Sequence, residues 1–420
     1  MIMLNSRWLQ HIQSALRGLL IVVTLGGSLD AAAAANRVAK PKAATRPGPP
    51  PGTAWKLVWQ DEFEGTSLDT NRWSSISPSP WSYPGFPTRA SESNCFLDGD
   101  GHLVLRLTRD PDGTVRYHRG LYSGNFQQAY GYFETRAQFS RQPGWWTAVW
   151  LSGVPYDEGT DPFVMPQEFD LFEDFYKPKT RNDISHCYHV TAKLSPVVDQ
   201  GDGKGIGGSS MAARTTIGRV SKGKVVELEE YGGWHTVGLE WTPLEHVFYV
   251  DGQETLRQTY REVPITTVPQ RVRISSCLRT PKELKKDGAK KAFYGWLEEA
   301  AFPDQLAVDY VRVYQQDTGG RTAPSVTVAL QSNPAELHLG QPATFVVRAE
   351  DRDGTVKTVC LFSKGYIRAE AEADTAGLTC PFTVTNLFEG DNAMIAMARD
   401  DHGLVGMSAP LRLHVNAKPR

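Results

Sequence analysis

Hydrophobic and polar positions alternate over short runs through most of the chain, which is the period of a β-strand. Val237, Leu239 and Trp241 form one such run, and residues 247–252 end in an Asp-Gly pair that is typical of a hairpin turn. Outside the N-terminus, no long stretch repeats apolar residues with a helical period. The pattern therefore predicts an all-β protein built from β-sandwiches.

The N-terminus departs from this pattern. Two arginines, Arg7 and Arg17, precede an apolar run at 19–25 and a run of alanines at 31–35, an order typical of a secretory signal. The apolar run is shorter than the roughly 20 residues that span a bilayer. We expect a signal peptide at 1–35, a Pro/Lys/Arg-rich linker at 36–53 and a secreted protein, free of the membrane after cleavage. Retention as a membrane tether is the alternative.

The pattern changes again after residue 316, where a short linker at 317–323 leads into a second β domain at 324–420. Its predicted strands include Ser325–Leu330, 343–349 and 392–398. These strands and the similar turn sequences at 349–354 and 398–403 resemble bacterial immunoglobulin-like modules. The resemblance implies a spacer or folding partner rather than a glycan-binding domain.

The hexapeptide Glu-Phe-Asp-Leu-Phe-Glu at 168–173 places three carboxylates on a short apolar strand. In a regular strand Glu168 and Asp170 share a face, whereas Glu173 points to the other. A β-bulge near Leu171 would return Glu173 to the face of the other two acids, and bulges are common beside active sites.

The spacing of Glu168 and Glu173 can be compared with the carboxyl separation that glycosidases use. At about 3.3 Å per residue their Cα atoms lie roughly 13 Å apart, which leaves about 5 Å between the carboxyls once each side chain leans inward. Retaining glycosidases use a separation of ~5–5.5 Å. Repulsion among three carboxylates would keep one protonated near neutral pH. A solvent-facing strand and a calcium or magnesium site remain the alternatives at this point.

The surrounding motifs resemble glycoside hydrolase family 16 in the correct order, from about residue 55 to 316. The matching segments are 55–63, 68–69, 71–73, 100–106, 130–136, 143–151, 234–243, 248–252 and 308–314. The resemblance implies a jelly-roll β-sandwich of concanavalin type, with a catalytic domain at 54–316. The spacing E-x-D-x-x-E is similar to the bulged branch, which includes laminarinases, agarases, porphyranases and carrageenases.

The same resemblance implies the roles of the three acids. Glu168 would be the nucleophile, Asp170 the assisting carboxylate and Glu173 the acid/base of an endo-acting retaining hydrolase that needs no cofactor for catalysis. The substrate would be a polysaccharide, either a β-1,3-glucan or a marine galactan. A transglycosylase and a noncatalytic lectin on the same sandwich are the competing interpretations.

Further residues are candidates for binding the glycan. Trp146, Trp145 and Trp150 match the cleft-lining run that precedes the acidic strand in the family. His189 would lie near the acids on the next strand, and Asn94 is a candidate for a contact to a sugar hydroxyl.

A structural calcium is the one metal that the resemblance implies. It would be held by Asp309 near the last strand of the sandwich, together with a backbone oxygen of Glu62.

Charge and cysteine content constrain the partners. The formal net charge is −2, which does not favour nucleic-acid binding, and we expect a monomer. Sulfated glycans would favour local basic residues, for which Arg89, Arg279 and the lysine-rich stretch at 282–291 are candidates. Of the five cysteines, Cys360 and Cys380 could pair.

Overall fold

The computed structural model describes residues 47–76, 88–140, 142, 144–153, 167–175, 183–191, 219–228, 232–278 and 300–418. In these ranges the chain forms β-strands, joined by turns and by two short 3₁₀ turns at Glu92–Asn94 and Pro334–Glu336. No helix in the described ranges has the length and apolar character needed to cross a bilayer. The predicted signal peptide and most of the 36–53 linker lie outside the described residues.

Seventeen of the described strands precede residue 317 and build two sheets. They are β1 (Trp55–Asp61), β2 (Trp73–Ser75), β3 (Thr88–Ala90), β4 (Cys95–Leu97), β5 (Leu103–Arg109), β6 (Val115–Tyr117), β7 (Gly120–Ser123), β8 (Gly131–Gln138), β9 (Trp145–Gly153), β10 (Gln167–Phe175), β11 (Asp183–Thr191), β12 (Arg219–Glu227), β13 (Trp234–Trp241), β14 (Glu245–Val250), β15 (Gln253–Thr259), β16 (Gln270–Leu278) and β17 (Asp304–Gln316).

Ten of these strands form one sheet and seven form the other. The ten-stranded sheet runs β15-β14-β13-β8-β17-β5-β6-β3, with β1 paired to β17 and β4 to β5. The seven-stranded sheet runs β12-β11-β10-β9-β16-β7-β2, so the acidic strand β10 lies near its centre. Strands distant in sequence are neighbours in both sheets, as in a jelly roll.

Apolar faces of the two sheets pack against each other. Trp241 of β13 and Phe169 of β10 have ring centroids 5.1 Å apart, and Phe139 meets Phe172 at 4.5 Å. The predicted alternation on β13 is confirmed, since Val237, Leu239 and Trp241 are all fully buried. Both sheets thus turn one face to a shared core, and the other face of the seven-stranded sheet is left for the acids.

The predicted hairpin is also present. β14 and β15 are antiparallel neighbours joined by Asp251 and Gly252, whose φ angles of 49° and 78° place both in the left-handed region. Two successive residues of positive φ define the hairpin turn whose twist matches that of the strands.

Eight further strands follow residue 317. They are β18 (Ser325–Leu330), β19 (Ala343–Glu350), β20 (Val356–Ser363), β21 (Tyr366–Thr375), β22 (Gly377–Val384), β23 (Gly390–Asp400), β24 (Val405–Met407) and β25 (Leu411–Val415). They form a three-stranded sheet, β18-β19-β22, and a five-stranded sheet, β21-β20-β23-β24, with β25 paired to β23. A second apolar core lies between these two sheets.

The C-terminal sheets also pack directly on the N-terminal sandwich. Phe362 joins the larger core, and its ring centroid lies 5.8 Å from that of Tyr260. The backbone N–H of Ile265 donates to the carbonyl of Gly365 at 3.0 Å, and Glu370 accepts from the Tyr260 hydroxyl at 2.7 Å. We define this set of contacts as the inter-sheet interface.

The suggested pairing of Cys360 with Cys380 is wrong, because all five cysteines are free thiols. Cys360 lies on β20 and contributes to the larger core, whereas Cys380 lies on β22 and packs against the smaller one. The two side chains therefore pack in different hydrophobic cores. Burial raises the pKa of the Cys360 thiol to about 11, which keeps it protonated.

Candidate active site

The acidic hexapeptide lies on β10 and contains a bulge. On the β9 side Asp170 pairs with Trp150 while Phe172 pairs with Val149, so Leu171 is one residue in excess. Such an extra residue changes which face the following side chains occupy. The predicted bulge at Leu171-Phe172 is therefore present.

Burial shows the result of the bulge. Leu171 and Phe172 are consecutive, yet both are buried in the core between the sheets. Glu168 and Glu173 lie opposite Ser152 and Ala148, which are four residues apart on the uninterrupted strand β9. At about 3.3 Å per residue this is roughly 13 Å, and the even separation places both glutamates on one face.

The middle acid lies on the same face. Asp170 pairs with Trp150, two residues from both Ser152 and Ala148 on β9. Asp170 is 2% exposed and Glu173 is 7% exposed, whereas Glu168 is half-buried. Three carboxylates thus share one partly enclosed face.

A buried histidine supports the bulge. On the β11 side Asp170 pairs with Cys187 and Glu173 with Ser185, so His186 lies opposite the extra residue. The His186 Nδ1–H donates to the carbonyl of Leu171. Burial lowers the pKa of His186 to about 4, so the ring is neutral and keeps this donor at neutral pH.

The tryptophans of β9 divide between its two faces. Trp146 and Trp150 are half-buried and alternate with the core residues, so they lie on the face of the acids. The Trp150 indole N–H donates to Ser275 Oγ at 2.9 Å. Trp145 is 1% exposed and belongs to the core, so its prediction as a glycan contact is wrong. Alternation puts neighbours on opposite faces, and only one of the two adjacent tryptophans can reach a substrate.

His189 pairs with Glu168 across β10 and β11. Its side chain lies outside the described part of the structure, so its predicted contact to the acids stays a prediction. Arg279 and the stretch at 282–291 are also outside the described residues. Arg89 is exposed on β3 of the ten-stranded sheet.

The structure contradicts the prediction that Asn94 contacts a sugar hydroxyl. Asn94 is 5% exposed, and its amide nitrogen donates to Arg106 O, Thr108 Oγ1 and Arg116 O at 2.9–3.2 Å. These bonds tie the turn before β4 to β5 and β6. An amide whose donors are used within the protein cannot present them to a ligand.

The two residues predicted to hold calcium both form ion pairs. The Asp309 carboxylate accepts a hydrogen bond from Arg136 Nη1 at 2.7 Å, so an arginine already neutralises it. The Glu62 carboxylate accepts from Arg312 at 2.7 and 2.8 Å, but the predicted ligand atom of Glu62 is its backbone oxygen. The calcium site therefore stays a prediction. Among the described residues, the set close enough to share an ion is Asp400, Asp401 and His402, in the C-terminal sheets.

Residues of β16 also line this face, and the sequence pattern did not indicate them. This strand neighbours β9, and its side chains alternate between buried and half-buried along its whole length. Ser275, which holds Trp150, lies on the half-buried side together with Arg271 and Arg273. The alternation of polar residues was readable in the sequence, but its pairing with β9 was not, because more than 100 residues separate the two strands.

The geometry permits acid-assisted displacement at a sugar carbon. Two glutamates on one face, separated by one aspartate and flanked by Trp150 and Trp146, supply a nucleophile, a proton donor and flat apolar surfaces for sugar rings. Such chemistry requires one ionised and one protonated carboxyl group.

The chain is similar to several known proteins. The chain is 27% identical over 271 residues to a beta-glucanase of Rhodothermus marinus, covering 62% of this chain and 85% of that protein. It is 28% identical to a keratan-sulfate endo-1,4-beta-galactosidase of Sphingobacterium multivorum, covering 63% of this chain and 56% of that one. The catalytic domain of an endo-1,3-beta-glucanase of Thermotoga petrophila superposes with a TM-score of 0.47 at 22% identity, covering 64% of this chain and all of that one.

The family model of the glycosyl hydrolases of family 16 matches residues 85–295, which is half of the chain. The match includes β10 with its three acids and the β9 strand beside it. The chain therefore belongs to glycosyl hydrolase family 16 and is a glycoside hydrolase.

Proposed function

We propose that the protein is an endo-acting, retaining β-glycan hydrolase in which Glu168 is the nucleophile and Glu173 the acid/base. The observation that carries this proposal is the bulge at Leu171, which returns Glu173 to the face of Glu168. Without the extra residue, Glu173 would point into the apolar core and the pair would not exist.

The mechanism is a double displacement. Glu173 donates its proton to the glycosidic oxygen while a carboxylate oxygen of Glu168 attacks the anomeric carbon, which breaks the bond to the leaving sugar. The resulting glycosyl ester on Glu168 is then attacked by water, whose proton passes to Glu173. Asp170 lies between the two glutamates, and its negative charge favours the protonated form of Glu173.

The substrate we propose is a β-1,3-glucan or a galactan. The related beta-glucanase and the related keratan-sulfate endo-galactosidase support a glucan and a galactan backbone respectively. The bulge also supports placement in the bulged branch of the family.

The test compares the full-length wild type with Glu168→Gln and Glu173→Gln on laminarin, lichenan, agarose, porphyran and κ-carrageenan. New reducing ends and product sizes are measured, and Glu64→Gln, at an exposed position, is the matched control. We expect one glycan to be cut into oligosaccharides by the wild type and the control, with no cleavage by Glu168→Gln.

The two glutamates are distinguished by an aryl glycoside of the same sugar, whose phenolate leaves without a proton. Glu173→Gln should lose about 10²–10⁴-fold on the polymer yet still release phenol, whereas Glu168→Gln should release none. Products longer than the substrate would favour a transglycosylase. Intact polymers that nevertheless bind the wild type would favour a lectin and overturn the proposal.

We further propose that the protein is exported and that its C-terminal sheets form an immunoglobulin-like folding partner. The basic, apolar and small-residue order of the N-terminus supports export, and the inter-sheet interface supports the second role. The mass of the mature protein tests export, since cleavage near residue 35 is expected. An intact N-terminus on protein recovered from the cells would contradict it.

A further inference from the structure

Two arginines of β16 lie on the same sheet face as the acids. Arg273 pairs with Trp150, which pairs in turn with Asp170, so the three form one row across the sheet. Arg271 belongs to the next row, which runs through Ser152 to Glu168. Paired residues of adjacent strands point to the same side. The arginines are therefore two strand spacings, about 10 Å, from the acids.

Aromatic rings hold these guanidinium groups in place. The Arg273 Cζ lies 4.9 Å from the centroid of Trp150 and 5.7 Å from that of Tyr122. The Arg271 Cζ lies 5.6 Å from the same Tyr122 ring, so the tyrosine contacts both arginines. Stacking uses the flat face of a guanidinium, and the N–H groups of Arg271 lie at its edge. Trp150 is itself fixed by Ser275.

Arg271 also carries an unused donor. Its Nε is shielded from solvent and has no hydrogen-bond partner among the described residues. A buried N–H without an acceptor is unfavourable, because it has lost its hydrogen bonds to water. An anionic group that accepts from this donor would stabilise Arg271, and Arg273 lies beside it on the same strand face.

We propose that Arg271 and Arg273 form an anion subsite of the glycan cleft, which binds the sulfate ester or carboxylate of an acidic sugar next to the one cleaved. The proposal rests on the proposed glycan hydrolase function and adds the substrate class. At about 10 Å from the acids, the anion belongs to a neighbouring sugar and not to the ring attacked by Glu168. The planar fork of arginine matches both oxyanions with paired hydrogen bonds.

The test uses the full-length chain and Arg271→Met/Arg273→Met, in which methionine keeps the apolar stem. Porphyran and a uronate-bearing β-glycan represent the two anions, and desulfated porphyran is the neutral comparison. The control is Arg106→Met, because Arg106 also stacks on a ring, that of Phe96 at 4.4 Å, but belongs to the ten-stranded sheet. Cleavage rates and binding by affinity electrophoresis are both measured, with binding done in a Glu168→Gln background.

We expect the double variant to lose at least about tenfold more binding and kcat/KM on one acidic glycan than on neutral glycans, mainly through KM. The preference of the wild type for that glycan should weaken with added salt. The glycan that shows the loss, sulfated or uronate-bearing, identifies the anion.

Equal losses on acidic and neutral glycans would overturn the inference, because the arginines would then serve the fold. A shifted pH–rate profile on every glycan would also overturn it, since the charges would then act on the acids. Both results would leave the hydrolase proposal standing. Conversely, if no polymer is cleaved, the binding of acidic and neutral glycans to the parent protein and the double variant still shows whether the anion subsite exists.

Discussion

His246 is a histidine wholly enclosed by the sandwich core. Its ring packs edge-on against Phe169 at 4.7 Å and against Tyr188 at 4.5 Å, and neither ring nitrogen has a hydrogen-bond partner among the described residues. Burial lowers the pKa of His246 to about 3, from a usual value near 6.5. His246 therefore stays unprotonated in the folded protein at pH values where the unfolded chain protonates it.

We predict that His246→Phe makes the fold less sensitive to acid. Below pH 6.5 a proton binds to this histidine in the unfolded chain but not in the folded protein, so protonation favours the unfolded state. The free energy of unfolding therefore decreases as the pH falls from 6.5 toward 3, by up to about 1.4 kcal/mol per pH unit for this group. Phenylalanine fits the aromatic surroundings and has no proton to bind. The measurement is the urea midpoint of wild type and variant at pH 7.5, 5.5 and 4.5.

The advantage of His246→Phe should grow as the pH falls. Some acid sensitivity will remain, because His186 has a pKa near 4 and acts with the same sign between pH 6.5 and 4. Parallel pH profiles for the two proteins would contradict the assignment of acid sensitivity to His246.

At the scale of the strand, the bulge of β10 positions the acid/base. Its extra residue, Leu171, leaves a carbonyl inside the sandwich, and His186 donates to that carbonyl from the neighbouring strand. The ring of His186 stacks on Phe248 at 5.2 Å. The bulge is thus fixed by one hydrogen bond and by packing, and the direction of Glu173 depends on both.

We predict that His186→Phe lowers kcat with little effect on KM. Phenylalanine keeps the stacking but removes the donor, which leaves a buried carbonyl unsatisfied at a cost of about 1–3 kcal/mol. A misplacement of Glu173 by about 1 Å would reduce the rate by ~10²-fold. Steady-state kinetics on the cleaved glycan and urea unfolding measure the two effects.

His186→Asn is the rescue variant, since its amide nitrogen occupies a position close to Nδ1, and it should recover part of kcat. Phe248→Leu is the control that loosens the same packing without removing the donor. If Phe248→Leu and His186→Phe lower kcat equally at equal stability, His186 has only a structural role.

At the scale of the whole molecule, the C-terminal sheets complete the larger core. Phe362 is buried against Tyr260, while Arg261 and Glu370 form an ion pair of 3.0 Å at the exposed margin of the interface. Apolar burial and surface ion pairs differ greatly in their contribution to stability. The inter-sheet interface should therefore depend on its apolar part.

We predict that Phe362→Ala destabilises the full chain by about 3–5 kcal/mol, as expected for a large buried side chain. Arg261→Ala, the comparison at the same interface, should cost no more than about 1 kcal/mol because the ion pair is exposed to solvent. Urea unfolding followed by tryptophan fluorescence measures both. A small effect of Phe362→Ala would mean that the two pairs of sheets are stable independently.

Much of the fold and the acidic strand followed from sequence because strand periodicity is a local property. Alternation of apolar residues identified β13, the Asp-Gly pair identified the hairpin, and the position of three acids required a bulge. Each inference used residues within one or two strands. The solvation of side chains and the geometry of the backbone act over such short stretches, so the sequence alone was enough for these inferences.

Which strands are neighbours, and therefore which side chains meet, depends on tertiary contacts that the sequence pattern does not show. The partners of Asn94 and Asp309 lie on other strands and could not be read from the sequence. Arg271 and Arg273 gained importance only because β16 lies beside β9. Likewise the interface through Phe362 joins segments about 100 residues apart. Such contacts depend on the pairing of distant strands, which local periodicity does not specify.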